Sequence, residues 1–371
     1  MPAIQLTGVT RRFGDVCAVN DLTLAVEDHD FVTLLGPSGC GKTTTLRMIA
    51  GLETPTKGRI ELNGEVVFDS EKKINLPANR RGVGLLFQHY ALWPNMTIYE
   101  NIAYPLAGKM AKSEIDKTVR SMAKTVKIEN LLDRYPAQLS GGQQQRAAIA
   151  RTLAPRPRVI LMDEPLSNLD AKLRLEMRSE LQRLHLATGS AFLYVTHDQL
   201  EAMTLSTRIC LMDRGVLRQD APPLTVYRRP ADLFAADFVG APPINLMEVT
   251  GAGTGDEMNL TLPGDRLARF SFRDRTGEAV PPDGALTLGA RPEMIHLGET
   301  GLPGTIYSVL PAGMETTVRV QTEGALLTAV VFGAAPLAIG ASARVSFAGE
   351  DLLLFRRDSG KLLGAGKLLL S

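Results

Sequence analysis

The chain has 371 residues, enough for two domains that each bury a core of their own. Its 41 Lys and Arg against 40 Asp and Glu leave a formal net charge of +1, which gives no overall basic footprint for nucleic acid. No apolar run approaches the about 20 residues of a bilayer-spanning helix, and Met1 is not followed by a signal-like segment, so a soluble, cytosolic chain is expected.

In chain order, the β-like stretches Ile4 to Val9 and Leu22 to Val26 come first. Between them Arg11-Arg12-Phe13-Gly14 reads as a turn, where Phe13 either stacks on a purine ring or belongs to a small core. Phe31 to Leu35 is an apolar strand. It runs into Gly36-Pro37-Ser38-Gly39-Cys40-Gly41-Lys42-Thr43-Thr44, and Leu46 to Ala50 then reads as helix. Strand, Gly-rich loop and helix are the context the P-loop pattern requires. Glycines let successive backbone N–H groups turn inward as an anion nest, and the helix N-terminus adds partial positive charge. Lys42 is placed to reach the β- and γ-phosphates of a nucleoside triphosphate, and the Thr43 hydroxyl to hold Mg²⁺. Cys17, Cys40 and Cys210 show neither metal nor disulfide spacing; Cys40 suits the loop as a small packing residue.

Gly58 to Asp69 alternates around Asn63-Gly64, a hairpin signal. Gly82 to Phe87 is β-like and ends in Gln88, which could reach a metal or water. Thr97 to Ala154 turns helical. Thr97 to Glu100 and Ser140-Gly141-Gly142-Gln143 both read as capping boxes, and the second opens a Gly-rich helix N-terminus that offers another anion site. Val159 to Met162 is a continuous apolar run, as in a parallel strand buried on both faces. It ends in Asp163-Glu164, where ligands of open α/β sheets bind. There Asp163 suits Mg²⁺, and Glu164 can accept a hydrogen bond from an attacking water. Ser167 to Asp170 leads into a helix with Leu173, Met177, Leu181 and Leu184 on one stripe, ended by Gly189. Phe192 to Thr196 is the next strand and terminates in His197, level with Gln88 and Glu164. Arg208 to Met212 and the turn Asp213 to Val216 follow.

Near residue 235 the character changes, with a break at Ala241-Pro242-Pro243. The short β-like pieces Leu286 to Leu288, Thr317 to Val320, Leu327 to Val331, Ala343 to Phe347 and Leu352 to Phe355 suggest a small all-β barrel.

With these residues in place the chain resembles the ATP-binding subunit of an ABC importer of the sugar-uptake, maltose-type subfamily. Leu139 to Gln143 matches the ABC signature, Gln88 the Q-loop glutamine, Asp163 the Walker-B aspartate, Glu164 the catalytic glutamate, Ser167 to Asp170 the D-loop and His197 the switch histidine. Phe13 falls at the adenine-stacking aromatic. Phe238 to Asn245 and Gly289 to Glu293 match the regulatory β-barrel. Thr207 departs from the family's usual Asp before Arg208.

The resemblance implies an α/β P-loop NTPase over residues 1–235, with a RecA-like core, an antiparallel β subdomain and a helical subdomain at about 90–154. An OB/TOBE-like barrel domain then fills residues 236–371. It implies an ATPase with ATP and Mg²⁺ as cofactors. Lys42, Gln88, Glu164 and His197 are catalytic in it, and Thr43, Gln88 and Asp163 lie at the metal. Phe13, Gly36, Ser38 to Thr44, Ser140 to Gln143 and Asp170 contact nucleotide. Two copies pair head to tail, each closing its signature helix over ATP on the other's P-loop. Two integral membrane permease chains, gripped through Tyr90 to Pro94, and an extracytoplasmic solute-binding protein complete the system at the cytoplasmic face of the inner membrane. Nucleic acid is not a partner. Carbohydrate or polyol is the expected cargo, with polyamine, ferric iron or sulfate as the alternative. A soluble DNA-associated ABC ATPase needs a long coiled-coil insertion before the signature, and sustained heptads are absent there.

Overall fold

The apolar strand runs of the first half assemble side by side in the computed structural model, which describes residues 1–253, 255–333 and 337–370. The chain divides into two compact units, Met1–Pro223 and Leu224–Ser371.

In the first unit a six-stranded sheet runs in the order Val216–Ala221, Arg208–Asp213, Phe31–Leu35, Ala191–Val195, Val159–Asp163 and Val83–Leu86. All neighbours are parallel except the first pair. Because side chains alternate across a strand, each central strand must be apolar on both faces. Ile160, Met162, Phe192 and Tyr194 point into a core shared with the helical segment. Val159, Leu161, Leu193 and Val195 point into a second core with Leu46, Met48 and Ile49. That second core is closed by a five-stranded antiparallel sheet in the order Val16–Val26, Ile4–Phe13, Lys57–Leu62, Glu65–Asp69 and Ile74–Asn75. The helical segment holds Ile98–Ala103, Lys112–Thr125 and Gly141–Leu153. Thr97 forms a full capping box with Glu100, its N–H donating to Glu100 Oε2 at 2.7 Å and its Oγ1 accepting from Glu100 N–H at 3.2 Å.

In the second unit, six strands close a barrel in the order Asn245–Ala252, Glu257–Leu262, Arg266–Arg275, Leu362–Leu370, Leu352–Arg356 and Ala285–Ala290. A further five-stranded sheet runs Ile295–Gly298, Ser342–Phe347, Leu302–Pro311, Glu315–Thr322 and Ala325–Phe332. The expected single small barrel is therefore a barrel plus a sheet. Leu362–Leu370 escaped the sequence reading because glycines interrupt it. At Gly366 a Cβ would meet Ser271 O at 2.0 Å, so glycine is what lets this strand cross close to its neighbour. The change of composition near 235 falls inside this unit. Its two short helices, Pro223–Arg228 and Leu233–Phe238, are held by Arg291, which is 2% exposed and donates to the carbonyls of Tyr227, Ala236 and Val239.

Candidate functional site

Parallel strands all deliver their carboxyl ends to one edge. Asp163 and Leu34, next to the strand end at Leu35, both pair with Val195, and Leu86 pairs with Met162 beyond. The loops that follow carry Gly36 to Gly41, Glu164, His197 and Gln88, so topology alone gathers them.

The P-loop wraps the N-terminus of helix Lys42–Ala50, whose N-cap is Gly41 at φ 102°. A Cβ there would strike Ala18 O at 2.3 Å, so only glycine serves. Lys42 is 6% exposed, and its Nζ donates to Gly36 O at 2.7 Å and Pro37 O at 2.9 Å. The ammonium is thus already held inside the loop, next to the helix's positive end. Cys40 is buried, and that burial pushes its thiol up from the usual range. Ser38 and Gly39 are exposed at the loop's crest, and Thr44 is half-buried.

Thr43 Oγ1 donates to Asp163 Oδ1 at 3.0 Å. Asp163 is 7% exposed, and burial raises its carboxyl above the ordinary value although Thr43 and Arg47 pull it down. A buried carboxylate beside a hydroxyl is an oxygen donor set that suits a hard divalent cation.

Glu164 sits at φ 43° in the left-handed region, with its N–H on Val195 O at 3.0 Å. This strained turn aims its carboxylate at the next loop, where Oε2 lies 3.1 Å from His197 Nδ1. Gln88 Nε2 donates to Ser167 Oγ at 3.3 Å, and Asn168 Nδ2 to Gln88 O at 3.2 Å. Asp170 caps the helix Ala171–Thr188 by accepting from Leu173 N–H at 2.9 Å.

Ser140 to Gln143 makes no hydrogen bond with any of these groups among the described residues. Ser140 N–H donates to Gln143 Oε1 at 3.0 Å, in the expected capping box. Ser140 and Gly141 face solvent, while Gly142 packs on Leu173. Phe13 is 45% exposed and belongs to no core; Arg11 stacks on its ring, 4.3 Å from the centroid. Trp93 packs locally against Tyr104, with centroids 4.3 Å apart.

Sequence reading missed the side chains that hold these loops. Arg81 donates to Met48 O and Ile49 O, closing the C-terminal end of the P-loop helix. Arg151 donates to Tyr90 O and Ala91 O, and the Asn101 side chain binds the backbone of Trp93, Met96 and Thr97. Glu201, 3% exposed, accepts from Tyr194 and Thr196 hydroxyls beneath the His197 turn. The one local signal was Asp198-Gln199-Leu200-Glu201, an N-terminal helix pattern. Thr207, in place of the usual Asp, accepts from Phe31 N–H, and Arg208 still pairs with Asp30 and Asp220.

Residues 19–167 match the ABC transporter family and residues 288–355 the TOBE domain. The trehalose/maltose import ATP-binding protein MalK of Thermococcus litoralis is 41% identical over 98% of this chain and 100% of its own length. The chain belongs to the ABC transporter family. Its relatives there include the maltose/maltodextrin import ATP-binding protein MalK of Salmonella typhimurium, 40% identical over 96% of each chain. They also include the sn-glycerol-3-phosphate import ATP-binding protein UgpC of Paracoccus denitrificans, 42% identical over 87% of this chain and 88% of that one. Among solved structures, the dimeric post-hydrolysis state of the ATP-binding cassette MJ0796 bound to ADP and Pi aligns with a TM-score of 0.52 and 32% identity. That alignment covers 59% of this chain and 98% of that one. As an ABC ATP-binding subunit the chain binds ATP and couples its hydrolysis to transport. No helix among the described residues is long and apolar enough to cross a membrane.

Proposed function

We propose that this subunit powers uptake of a carbohydrate or polyol, working at the cytoplasmic face of the inner membrane with two permease chains and an extracytoplasmic solute-binding protein. The relatives' names, which span maltose, trehalose and glycerol-3-phosphate import, support that cargo class. Tyr90 to Pro94, fixed on Arg151 and Asn101, is the segment presented to the permease.

The observation that carries the chemistry is the 3.1 Å contact between Glu164 Oε2 and His197 Nδ1, one strand away from the P-loop. Glu164 accepts the proton of the attacking water, and His197 steadies both that carboxylate and the γ-phosphate. Lys42 leaves its loop carbonyls for the phosphate oxygens, whose charge outweighs two neutral acceptors. Gln88 orients water from its perch on Ser167, and Phe13 offers the free face of its ring to adenine. Asp163 and Thr43, with Gln88 nearby, would hold Mg²⁺, which neutralises phosphate charge when bound.

Ser140 to Gln143 points its helix N-terminus at solvent and therefore serves a second copy, together with that copy's P-loop. Asp170, at the end of the same strand-to-helix loop as Ser167, contributes at that junction. Glu164→Gln should bind ATP normally, cease hydrolysis and accumulate as an ATP-bound dimer on size exclusion. A monomeric variant that still turns over would reject Glu164 as the base. The cargo is read from which solute stimulates ATPase activity in the assembled complex; stimulation by a polyamine, ferric iron or sulfate would overturn the carbohydrate assignment.

A further inference from the structure

Two segments of the site hang on one side chain that, among the described residues, bonds to neither Glu164 nor His197. Arg174 lies on helix Ala171–Thr188, one turn beyond Asp170. Its Nη2 donates to Leu169 O at 3.1 Å, inside the loop whose Ser167 receives Gln88. Its Nη1 reaches Asp198 Oδ2 at 3.4 Å, on the residue next to His197. Its Nε makes no hydrogen bond and faces Glu201 Oε1 at 4.0 Å.

The receiving side is rigid. Asp198 Oδ1 accepts from Leu200 and Glu201 N–H groups as an N-cap, and Asp198 N–H donates to Thr196 Oγ1 at 3.0 Å. Thr196 in turn donates to Glu201 Oε2 at 2.7 Å, and Tyr194 hydroxyl to the same oxygen at 2.8 Å. So the backbone on both sides of His197 is tied into a network whose cationic member is Arg174. A planar guanidinium can hold a carbonyl and a carboxylate at a fixed separation, which an ammonium on a flexible stem cannot.

We propose that Arg174 is a positioning residue: a strut that fixes the distance between the Ser167–Asp170 loop and the His197 turn, and so keeps His197 against Glu164. The inference rests on the reading of Glu164 and His197 given above. Nothing in it requires Arg174 to touch nucleotide. Its loss should appear in turnover and spare ATP affinity, since the P-loop, Lys42 and Thr43 share no bond with it among the described residues.

The test is a double-mutant cycle on the full-length chain in its transport complex, reading kcat, KM for ATP and binding of ATP to the P-loop. Arg174→Ala should lower kcat about tenfold or more, by analogy with misplacement of a group far from the chemistry, and leave ATP affinity within about twofold. In a His197→Ala background the same change should add little, because both act on one contact. Asp198→Asn keeps the N-cap and removes only the charge that Arg174 holds, so kcat should fall with the melting temperature unchanged; an unchanged kcat counts against the strut. If His197→Ala itself leaves kcat unchanged, the reading of His197 fails. If His197→Ala lowers kcat but Arg174→Ala does not, or its effect multiplies fully with that of His197→Ala, the strut is refuted.

Discussion

At the scale of single residues, environment decides what each titratable group can do. Lys42 is buried with its ammonium on two loop carbonyls, so truncating it removes a cation held inside the nest. Lys42→Ala should abolish ATP binding and hydrolysis, measured by nucleotide-binding fluorescence and phosphate release; near-normal turnover would dismiss the P-loop assignment. Tyr227 gives a pH-dependent counterpart in the second unit. Burial, and then the Glu293 carboxylate that accepts its hydroxyl at 2.8 Å, push its phenol up to about 12. A folded-state value above the ordinary one of about 10 means its contribution to stability is complete below that pH and is lost as pH rises towards the folded value. The urea midpoint of the parent chain should therefore fall more steeply over that alkaline window than that of Tyr227→Phe. Equal slopes would show that Tyr227 titrates normally.

At the scale of elements, what was legible in the sequence was what is local. The P-loop, Asp163-Glu164 and His197 each announce themselves because strand, loop and helix follow one another in the chain, and parallel register then brings them to one edge. The buried braces were illegible because their partners lie far along the chain: Arg81 meets Met48 and Ile49, and Arg151 meets Tyr90 and Ala91. The barrel was half-read. Leu352 to Phe355 is apolar throughout and visible, whereas Asn245–Ala252 alternates buried and exposed residues that include Glu248, and Leu362–Leu370 is broken by glycine. The Arg81 brace is open to test. Its guanidinium, 4% exposed, serves four acceptors and closes the end of the P-loop helix. Arg81→Met leaves those carbonyls without their donor, a loss of about 2–4 kcal/mol on the usual cost of unmaking charged, buried hydrogen bonds. Urea unfolding should show the drop; a midpoint unchanged from the parent would mean water replaces Arg81 freely.

At the scale of the whole molecule, one chain holds a complete P-loop group and a signature helix that is not bonded to it. The helix N-terminus at Ser140 and Gly141 faces solvent, and its free backbone N–H groups are costly to leave without an anion if another surface closes over them. In the proposed head-to-tail pair both halves are satisfied, since each signature would meet the partner's triphosphate. That arrangement has a consequence which a self-sufficient chain does not share. Lys42→Ala removes a P-loop, and Ser140→Arg fills a signature tip with bulk, so each homodimer is dead at both of its sites. In a mixed dimer, the P-loop of the Ser140→Arg chain faces the intact signature of the Lys42→Ala chain, and one site is whole. Mixing the two inactive proteins should therefore restore ATPase activity, to about a quarter of the parent value for random pairing and independent sites. Activity that stays at the sum of the two variants after exchange, with mixed dimers verified by differential tagging, would place P-loop and signature function within a single chain.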